Sequence, residues 1–306
     1  MGDSFGTPVI CAIDGIRLDQ FIGREMRGPL GRRHAVAIIT AGGVRVNGRR
    51  ARKGVRLRAG DVVEVDAAAL GAGELGAQPE LPVAVLHEDA TLIAVDKPPG
   101  MPSVALRTTD RDTVANFLRA YAPETAEASR SPLEGGLAHR LDTPTSGVLL
   151  AARNPAAWAA LRAQFSRRAV QKEYAAMVDG DLRDPGVLRW PIAHDPGRAA
   201  AMVVCRDPAR ARLLRARPAM TTFHPIERRG NATLLAIAIP TGVRHQIRAH
   251  LAAIGHPVRG DALYGGTPAE RLMLHARSLR LRHPATGDML RIGSPLPPPL
   301  TGGLTP

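Results

Sequence analysis

The chain has 306 residues, 44% of them hydrophobic, which is enough for one large domain and one small domain with separate cores. Its formal net charge of +13 indicates a polyanionic partner, and because Lys53, Lys97 and Lys172 are the only lysines, nearly all of the basic residues are arginines. The N-terminus has no apolar run behind a basic start, and no stretch of about 18 apolar residues occurs. We therefore expect no secretory signal, no membrane span and a cytoplasmic protein.

Residues 14–66 are predicted to form a small domain of two helices and a hairpin. Apolar residues recur at helical spacing from Ile16 to Ile22, and a second helix is expected from Ala35 to Ala41, before a pair of glycines. The Asn47-Gly48 turn predicts a hairpin, and the strand Val62–Val65 is expected to complete it.

A larger domain is predicted over residues 81–294. It follows the segment 67–80, which has no periodicity and is predicted to be a flexible linker, and it precedes a Pro-rich tail, 295–306, expected to be disordered. Ala122–Gly135 is expected to be a mobile polar loop. The predicted strands are Val83–Leu86, Leu92–Asp96, Val148–Ala152, Gln171–Val178 and Ala232–Pro240, and the predicted helices are Thr113–Tyr121 and Pro155–Arg167.

The most informative stretch runs from His139 to Gly147 and reads His-Arg-Leu-Asp-Thr-Pro-Thr-Ser-Gly. Its acid, Asp142, lies on a turn that enters a buried strand, so a rigid scaffold can hold the carboxylate towards a cleft. The spacing alone also fits a structural Asx turn, in which Asp142 would bond the backbone that follows.

This stretch resembles the signature of the RluA-type pseudouridine synthases, H-R-L-D-x-x-T-S-G before a buried strand. Three further segments match the family in order: Lys172-Glu173-Tyr174, His245-Gln246-Ile247-Arg248, and the run Gly-His-Pro-Val-Arg-Gly-Asp-Ala-Leu-Tyr-Gly over 255–265. The resemblance implies that Asp142 is the catalytic residue and Arg248 its ion-pair partner. It implies that Tyr174 lines the pocket, where it would stack on the base and take part in proton removal. Substrate contacts are implied for His139, Arg140, Leu141, Thr145, Arg244, His245, Gln246 and Ile247.

Residues 14–66 resemble an S4 RNA-binding domain in their order of elements and in the segments 16–19, 43–48 and 60–63. The resemblance implies RNA contacts from five arginines. These are Arg17, Arg32, Arg33, Arg45 and Arg49. The alternative is a solvated surface that merely carries many arginines.

One segment departs from the family pattern. Where the family usually reads T-G-R-T-H-Q-I-R, this chain has Val243 and Arg244 after Thr241-Gly242. On an extended segment, such a one-residue shift moves the charge to the opposite face. The departure therefore bears on substrate contacts at this position.

No metal site and no cofactor are predicted. Cys11 and Cys205 are far apart in sequence, and their spacing fits neither a zinc site nor a disulfide framework. His245 and His250 are five residues apart, whereas a helical metal motif needs four. Core or supporting positions are the expected role of the histidines.

The sequence thus predicts an α+β protein, in which a small S4 module precedes a mixed, mostly antiparallel sheet with flanking helices. The implied function is isomerisation of specific uridines to pseudouridine in structured RNA by a monomeric enzyme. Large-subunit ribosomal RNA is the favoured substrate and transfer RNA the second. Two alternatives stay open: a non-catalytic RNA-binding or ribosome-assembly factor, and a DNA glycosylase that also flips a base.

Overall fold

The computed structural model describes residue 5 and residues 7–25, 32–66 and 75–301. The chain divides into two compact units, one comprising 1–81 with 104–136 and the other 82–103 with 137–306. The predicted domain boundaries assigned 104–136 to the second domain, whereas the structure groups this segment with the N-terminal one. Those boundaries stay a prediction.

The first unit contains the expected two helices and hairpin. Its N-terminal elements are β1 (Val9–Ile10), α1 (Leu18–Glu25), α2 (Arg32–Ala41), β2 (Val44–Val46), β3 (Arg49–Arg50) and β4 (Val62–Val65). The four strands form an antiparallel sheet in the order β1-β4-β2-β3. Phe21 and Ile22 of α1 are buried with Leu57 and Val63. The apolar residues at helical spacing thus form the face of α1 that packs into the core.

The remainder of this unit contains more regular secondary structure than expected. It holds α3 (Val114–Tyr121), α4 (Thr125–Ala128) and a 3₁₀ turn at Pro132–Glu134. Thr113 caps α3, because its hydroxyl accepts from the N–H of Asn116 while the Asn116 side chain accepts from the N–H of Thr113. Ala122–Gly135, expected to be a mobile polar loop, therefore contains a short helix and a 3₁₀ turn, so the prediction of a segment without regular structure was wrong.

The end of the predicted linker is also fixed. Leu75 is buried with Ala105 and Ala115, and the side chain of Gln78 donates to Asp112 over 3.0 Å. Residues 67–74 of that linker lie outside the described residues.

The second unit is built on one large sheet. Its elements are β5 (Ala84–Glu88), β6 (Leu92–Lys97), β7 (Ser146–Ala152), α5 (Pro155–Ser166), β8 (Gln171–Asp179), β9 (Gly186–Leu188), β10 (Ile192–His194), β11 (Met202–Val204), α6 (Pro208–Leu213), β12 (Thr221–Arg228), β13 (Ala232–Ala238), α7 (Gln246–Ala253), β14 (Leu274–Arg282), β15 (Met289–Gly293) and α8 (Pro298–Thr301). The strand order is β5-β6-β7-β14-β8-β13-β12-β9, with β15 also paired to β14. Within the described residues, β7 and β14 form the only parallel pair. The predicted α+β class with a mostly antiparallel sheet is confirmed.

Strand β7 is buried along its whole length and lies between β6 and β14. Gly147 comes so close to β14 that a Cβ atom there would lie 2.2 Å from the carbonyl oxygen of Ala276, and its φ is +112°. Only glycine fits both conditions. The glycine of the signature therefore lets the two strands approach at the point where the Asp142 loop joins the sheet.

The C-terminal tail is partly structured. Leu300 of α8 is fully buried, and its carbonyl oxygen accepts from Nη1 of Arg229 over 2.9 Å. The expected disorder was wrong for Pro298–Thr301, and residues 302–306 lie outside the described residues. Across the described ranges, the helices are all too short or too polar to cross a membrane.

Candidate active site

Asp142 lies in the loop that leads into β7. The turn is closed by the N–H of Thr145, which donates to the main-chain carbonyl oxygen of Asp142 over 3.0 Å. The turn therefore does not depend on the Asp142 side chain. That side chain is 21% exposed, so the carboxylate is accessible from solvent while its loop is anchored in the sheet.

Arg248, in the first turn of α7, joins Asp142 to a second carboxylate. Its Nη1 lies 3.5 Å from Oδ2 of Asp142, while Nε and Nη2 donate to the two oxygens of Asp261 over 2.6 and 2.8 Å. Burial opposes the charge of Arg248, but the bonds to Asp261 and the charges of both carboxylates raise its pKa above the ordinary value. Arg248 thus stays charged, and Asp261 fixes the plane of its guanidinium group.

His245 precedes α7 and has the left-handed φ of +54°, which is unusual for a residue with a side chain. Its Nδ1 lies 3.0 Å from the hydroxyl of Tyr264 and its Nε2 lies 4.0 Å from Oδ2 of Asp142. Burial is the main cause that lowers the pKa of His245 to about 4; the charges of Arg248 and Arg244 also lower it, while those of Asp142 and Asp261 oppose the shift. The ring is therefore neutral at neutral pH. If Tyr264 donates to Nδ1, the ring proton faces Asp142.

Tyr174 projects from β8 and is nearly buried. Burial, with a smaller contribution from the charge of Asp142, raises the pKa of its hydroxyl above the ordinary value. The phenol therefore stays protonated, which disfavours it as the group that removes a proton. The prediction that the ring of Tyr174 lines the pocket fits its position on β8.

Lys97, at the end of β6, is hydrogen-bonded to the Asp142 loop. Its side chain is fully buried, and Nζ donates to the carbonyl oxygens of Pro98, Met101 and Thr143 over 2.7 to 2.9 Å. Burial lowers the pKa of Lys97 to about 7, although the charge of Asp142 raises it. Only the charged ammonium has the three N–H groups that these three oxygens need.

Ser103 holds the residue just before the candidate catalytic acid. Its hydroxyl donates to the carbonyl oxygen of Leu141 and accepts from the N–H of Leu141, both over 3.1 Å. The N–H of Gly100 adds a bond of 2.9 Å to the carbonyl oxygen of Thr143. Segment 97–103 therefore holds the Asp142 loop through its backbone on both sides of the acid.

Most of the other residues predicted to bind substrate are buried around the site, where they pack or form hydrogen bonds within the protein. Gln246 is buried, where its amide donates to the carbonyl oxygen of Met220 and its oxygen accepts from Thr241. Ile247 and Leu141 are buried as well. The hydroxyl of Thr145 is buried and has no hydrogen-bond partner within the described ranges, and its contact with substrate stays a prediction.

The other three residues predicted to contact substrate have different environments. The ring of His139 stacks on Phe165 with centroids 4.5 Å apart, and its Nε2 accepts from the N–H of Leu150 over 3.2 Å. Burial lowers the pKa of His139 to about 3, so this histidine is a neutral part of the scaffold. Arg140 is exposed, and Arg244 donates to the carbonyl oxygen of Ala200 over 2.9 Å. Substrate contact by these residues stays a prediction.

The arginines of the S4-like segment are not equivalent. Arg17 is bonded to the buried Asp19 over 2.8 Å, and Arg45 lies 4.0 Å from the ring centroid of Phe5. Arg49 on β3 is exposed. Arg32 and Arg33 begin α2, and their side chains lie outside what the structure describes.

Four residues of the site were missed as participants by the sequence reasoning. They are Lys97, Ser103, Asp261 and Tyr264. The Gly-Asp-Ala-Leu-Tyr-Gly run, which contains Asp261 and Tyr264, was matched to the family, but no role was predicted for either residue. Among the described residues, no group of three or more His, Cys, Asp or Glu side chains could hold a metal ion.

Comparison with known proteins defines the class. A family model described as RNA pseudouridylate synthase matches residues 91–253, and a model of the S4 domain matches residues 16–63. The chain belongs to the RNA pseudouridylate synthase family, and its S4 domain makes RNA its partner.

Individual relatives agree with this assignment. Ribosomal large subunit pseudouridine synthase D of Haemophilus ducreyi is 34% identical over 71% of this chain and 68% of its own length. An uncharacterized RNA pseudouridine synthase of Mycobacterium bovis is 33% identical over 97% of this chain and 96% of its own. The structure of human RNA pseudouridylate synthase domain containing 1 superposes with a TM-score of 0.56 at 25% identity, covering 71% of this chain and 86% of that one. The predicted family, fold class and enzyme class are confirmed.

Proposed function

We propose that this enzyme converts specific uridines to pseudouridine in large-subunit ribosomal RNA, with Asp142 as the catalytic residue. The observation that carries the proposal is the placement of the Asp142 carboxylate. It is accessible from solvent, it lies 3.5 Å from the permanently charged Arg248, and its loop is bonded to Lys97 and Ser103. An ionised carboxylate held in this way can act as a nucleophile or stabilise a sugar cation.

The reaction breaks the bond between N1 of uracil and C1′ of ribose, and forms a bond between C5 and C1′. The proton on C5 is lost and a proton is gained at N1, so that product and substrate contain the same atoms. The reaction therefore needs no redox or group carrier, and a cofactor-free, metal-free mechanism stays our prediction. Asp142 would act at C1′ while the base is detached and turned.

The target uridine must leave its stack to reach a carboxylate at the base of a loop, at a cost of about a few kcal/mol. The ring of Tyr174, whose hydroxyl stays neutral, would stack on the extruded base. Arg140, exposed two residues before Asp142, would contact a flanking phosphate.

The relatives' names support the choice of substrate, because several are pseudouridine synthases of the large ribosomal subunit. Transfer RNA is the second candidate substrate. We further propose that the enzyme acts as a monomer and in the cytoplasm, where these RNA substrates are modified.

The test uses ribosomal RNA transcribed with tritium at C5 of uridine, because forming the C5–C1′ bond releases that tritium to water. We expect release by the wild type, with and without EDTA. We expect none by Asp142→Asn, which should still bind RNA within a few-fold of wild type because the amide keeps the shape without the charge. Asp288→Asn, at an exposed acid, is the matched control.

Tritium release by Asp142→Asn at the wild-type rate would remove Asp142 from catalysis. Tight RNA binding by a wild type that releases no tritium would instead favour the non-catalytic assembly factor. Release from transfer RNA but not from ribosomal RNA would change the substrate and leave the chemistry in place.

A further inference from the structure

We call residues 189–219 the arginine lobe. It contains the two-stranded sheet of β10 and β11, followed by α6. Its apolar side, made by Ile192, Met202 and Ala219, packs on Val243 and Ala249. The lobe is thus seated on α7, the helix that carries Arg248.

Polar contacts fix the lobe in the same place. Arg244 donates to the carbonyl oxygen of Ala200, and the Tyr264 hydroxyl accepts from the N–H of Met202 over 2.9 Å. Val243 and Arg244 are the two residues at which the chain departs from the usual family pattern. In the structure, both of them attach the lobe.

A further arginine joins the lobe to the opposite end of α7. Arg206 donates to the carbonyl oxygen of Ala253 and lies 4.2 Å from the ring centroid of Trp190. Trp190 in turn meets the ring of His250 edge-on. The lobe is therefore held at both ends of the helix, so its surface has a fixed position relative to Asp142.

The outer surface of the lobe carries an excess of positive charge. Its arginines are Arg189, Arg198, Arg206, Arg210, Arg212, Arg215 and Arg217, and its acids are Asp195 and Asp207. Both acids are engaged, because Asp195 pairs with Arg198 over 3.1 Å and Asp207 caps α6. Arg210, Arg212, Arg215 and Arg217 are exposed, and within the described ranges none of them is paired with a carboxylate.

Four like charges within eight residues repel one another, although Arg210 and Arg212 lie in the last turn of α6, where a positive charge is favourable to the helix. A polyanion bound beside the cluster would remove this repulsion. Guanidinium groups bind phosphate oxygens well, and each phosphate that they neutralise on RNA releases counterions.

We propose that the arginine lobe binds the phosphate backbone of the RNA next to the target uridine. This inference rests on the proposed function, since it assumes that the RNA bound at Asp142 extends over the lobe. The lobe contributes affinity and register, and Asp142 and Arg248 contribute the chemistry.

The experiment compares two triple variants of the full-length protein, each with three fewer positive charges. The lobe variant is Arg210→Gln, Arg212→Gln and Arg215→Gln. The control variant is Arg183→Gln, Arg228→Gln and Arg291→Gln, three exposed arginines of the same unit that lie in ion pairs with Asp181 or Glu173. RNA affinity is measured against salt concentration, and tritium release gives kcat and KM.

We expect the lobe variant to bind RNA more weakly and to lower the salt slope by about 0.7 for each phosphate that it no longer neutralises, or roughly 2 in total. Its KM should rise while kcat at saturating RNA stays at the wild-type value. The control should keep a slope near that of wild type. Replacing the same three lobe arginines by lysine should retain most of the slope, because lysine also binds phosphate as a point charge.

An unchanged slope in the lobe variant would overturn the proposal, and so would an equal fall in both variants, which would reflect net charge alone. The proposed function fails separately. If wild type released no tritium but the lobe variant showed the reduced salt slope, the lobe would still bind RNA and only the assignment of the reaction would fall.

Discussion

Arg248 of α7 and the exposed arginines of the arginine lobe have opposite environments. Arg248 is almost completely buried and contacts two carboxylates. In the arginine lobe, Arg210, Arg212 and Arg215 are exposed and carry no ion pair within the described residues.

The difference follows from solvation. A buried charge costs several kcal/mol unless it is paired and hydrogen-bonded, so Asp261 is as necessary to the site as Arg248. An exposed arginine is solvated by water, so it needs no ion-pair partner in the free protein. Changes at the buried group should therefore alter stability and rate, whereas changes at the exposed group should alter affinity and its salt dependence.

The largest effect is expected for Arg248→Ala. The substitution leaves the carboxylate of Asp261 buried without its cation, so the free energy of unfolding should fall by about 3 to 5 kcal/mol, and kcat should collapse. Denaturant unfolding and tritium release measure the two quantities. Arg248→Lys, which keeps the charge but not the two-point contact with Asp261, should destabilise the protein less. A wild-type unfolding midpoint for Arg248→Ala would contradict this account of the pair.

A smaller effect is expected for Ser103→Ala, which breaks both hydrogen bonds to the backbone of Leu141. Unpaired buried groups cost about 1 to 3 kcal/mol, and if that cost falls on the placement of Asp142, kcat should drop about tenfold. The KM for RNA should change little, because Ser103 is buried beneath the loop. Ser103→Thr keeps the hydroxyl and should restore kcat. Equal losses in kcat and stability with no rescue by threonine would indicate a purely structural residue.

The third prediction concerns the dependence of stability on pH. His275 is buried beside Ser146, and burial lowers its pKa from 6.5 to about 4. Between these values the unfolded chain binds a proton that the folded protein does not bind. The contribution of His275 is therefore fully present above about pH 6.5 and is lost as the pH falls towards 4.

The variant His275→Asn can keep a hydrogen bond to Ser146 but cannot titrate. The loss of unfolding free energy between about pH 7.5 and about pH 5 should be smaller in the variant than in wild type. Because His139 and His245 also have lowered pKa values, the variant should retain part of the loss. Identical losses in both proteins would mean that His275 does not resist protonation.

The smallest effect is expected in the S4 domain. Arg49→Gln should lower the salt slope of RNA binding by about 0.7 to 0.9 and leave kcat unchanged, because Arg49 is exposed on β3. Arg17→Gln should change the slope less, since Arg17 is already paired with Asp19. A larger slope change for Arg17 than for Arg49 would show that the ion pair opens when RNA binds.

Local patterns were sufficient for several parts of the structure. Asn154 and Pro155 at the start of α5 identified the helix, because the Asn154 side chain caps the N–H of Ala157. The signature around Asp142 and the segment ending at Arg248 were correctly predicted to meet, although more than a hundred residues separate them. That pairing came from the family resemblance and not from spacing.

The sequence by itself determined the fold class, the family, the core faces of the helices and the acid at the centre of the site, because periodicity, caps and short motifs are local. Only the tertiary structure decided that Asp261 holds Arg248, that Ser103 and Lys97 hold the Asp142 loop, and that α8 packs through Leu300. Each of these contacts joins groups from separate segments of the chain. A buried polar group is satisfied by whichever donor or acceptor the fold brings within about 3 Å, and sequence distance places no limit on that choice.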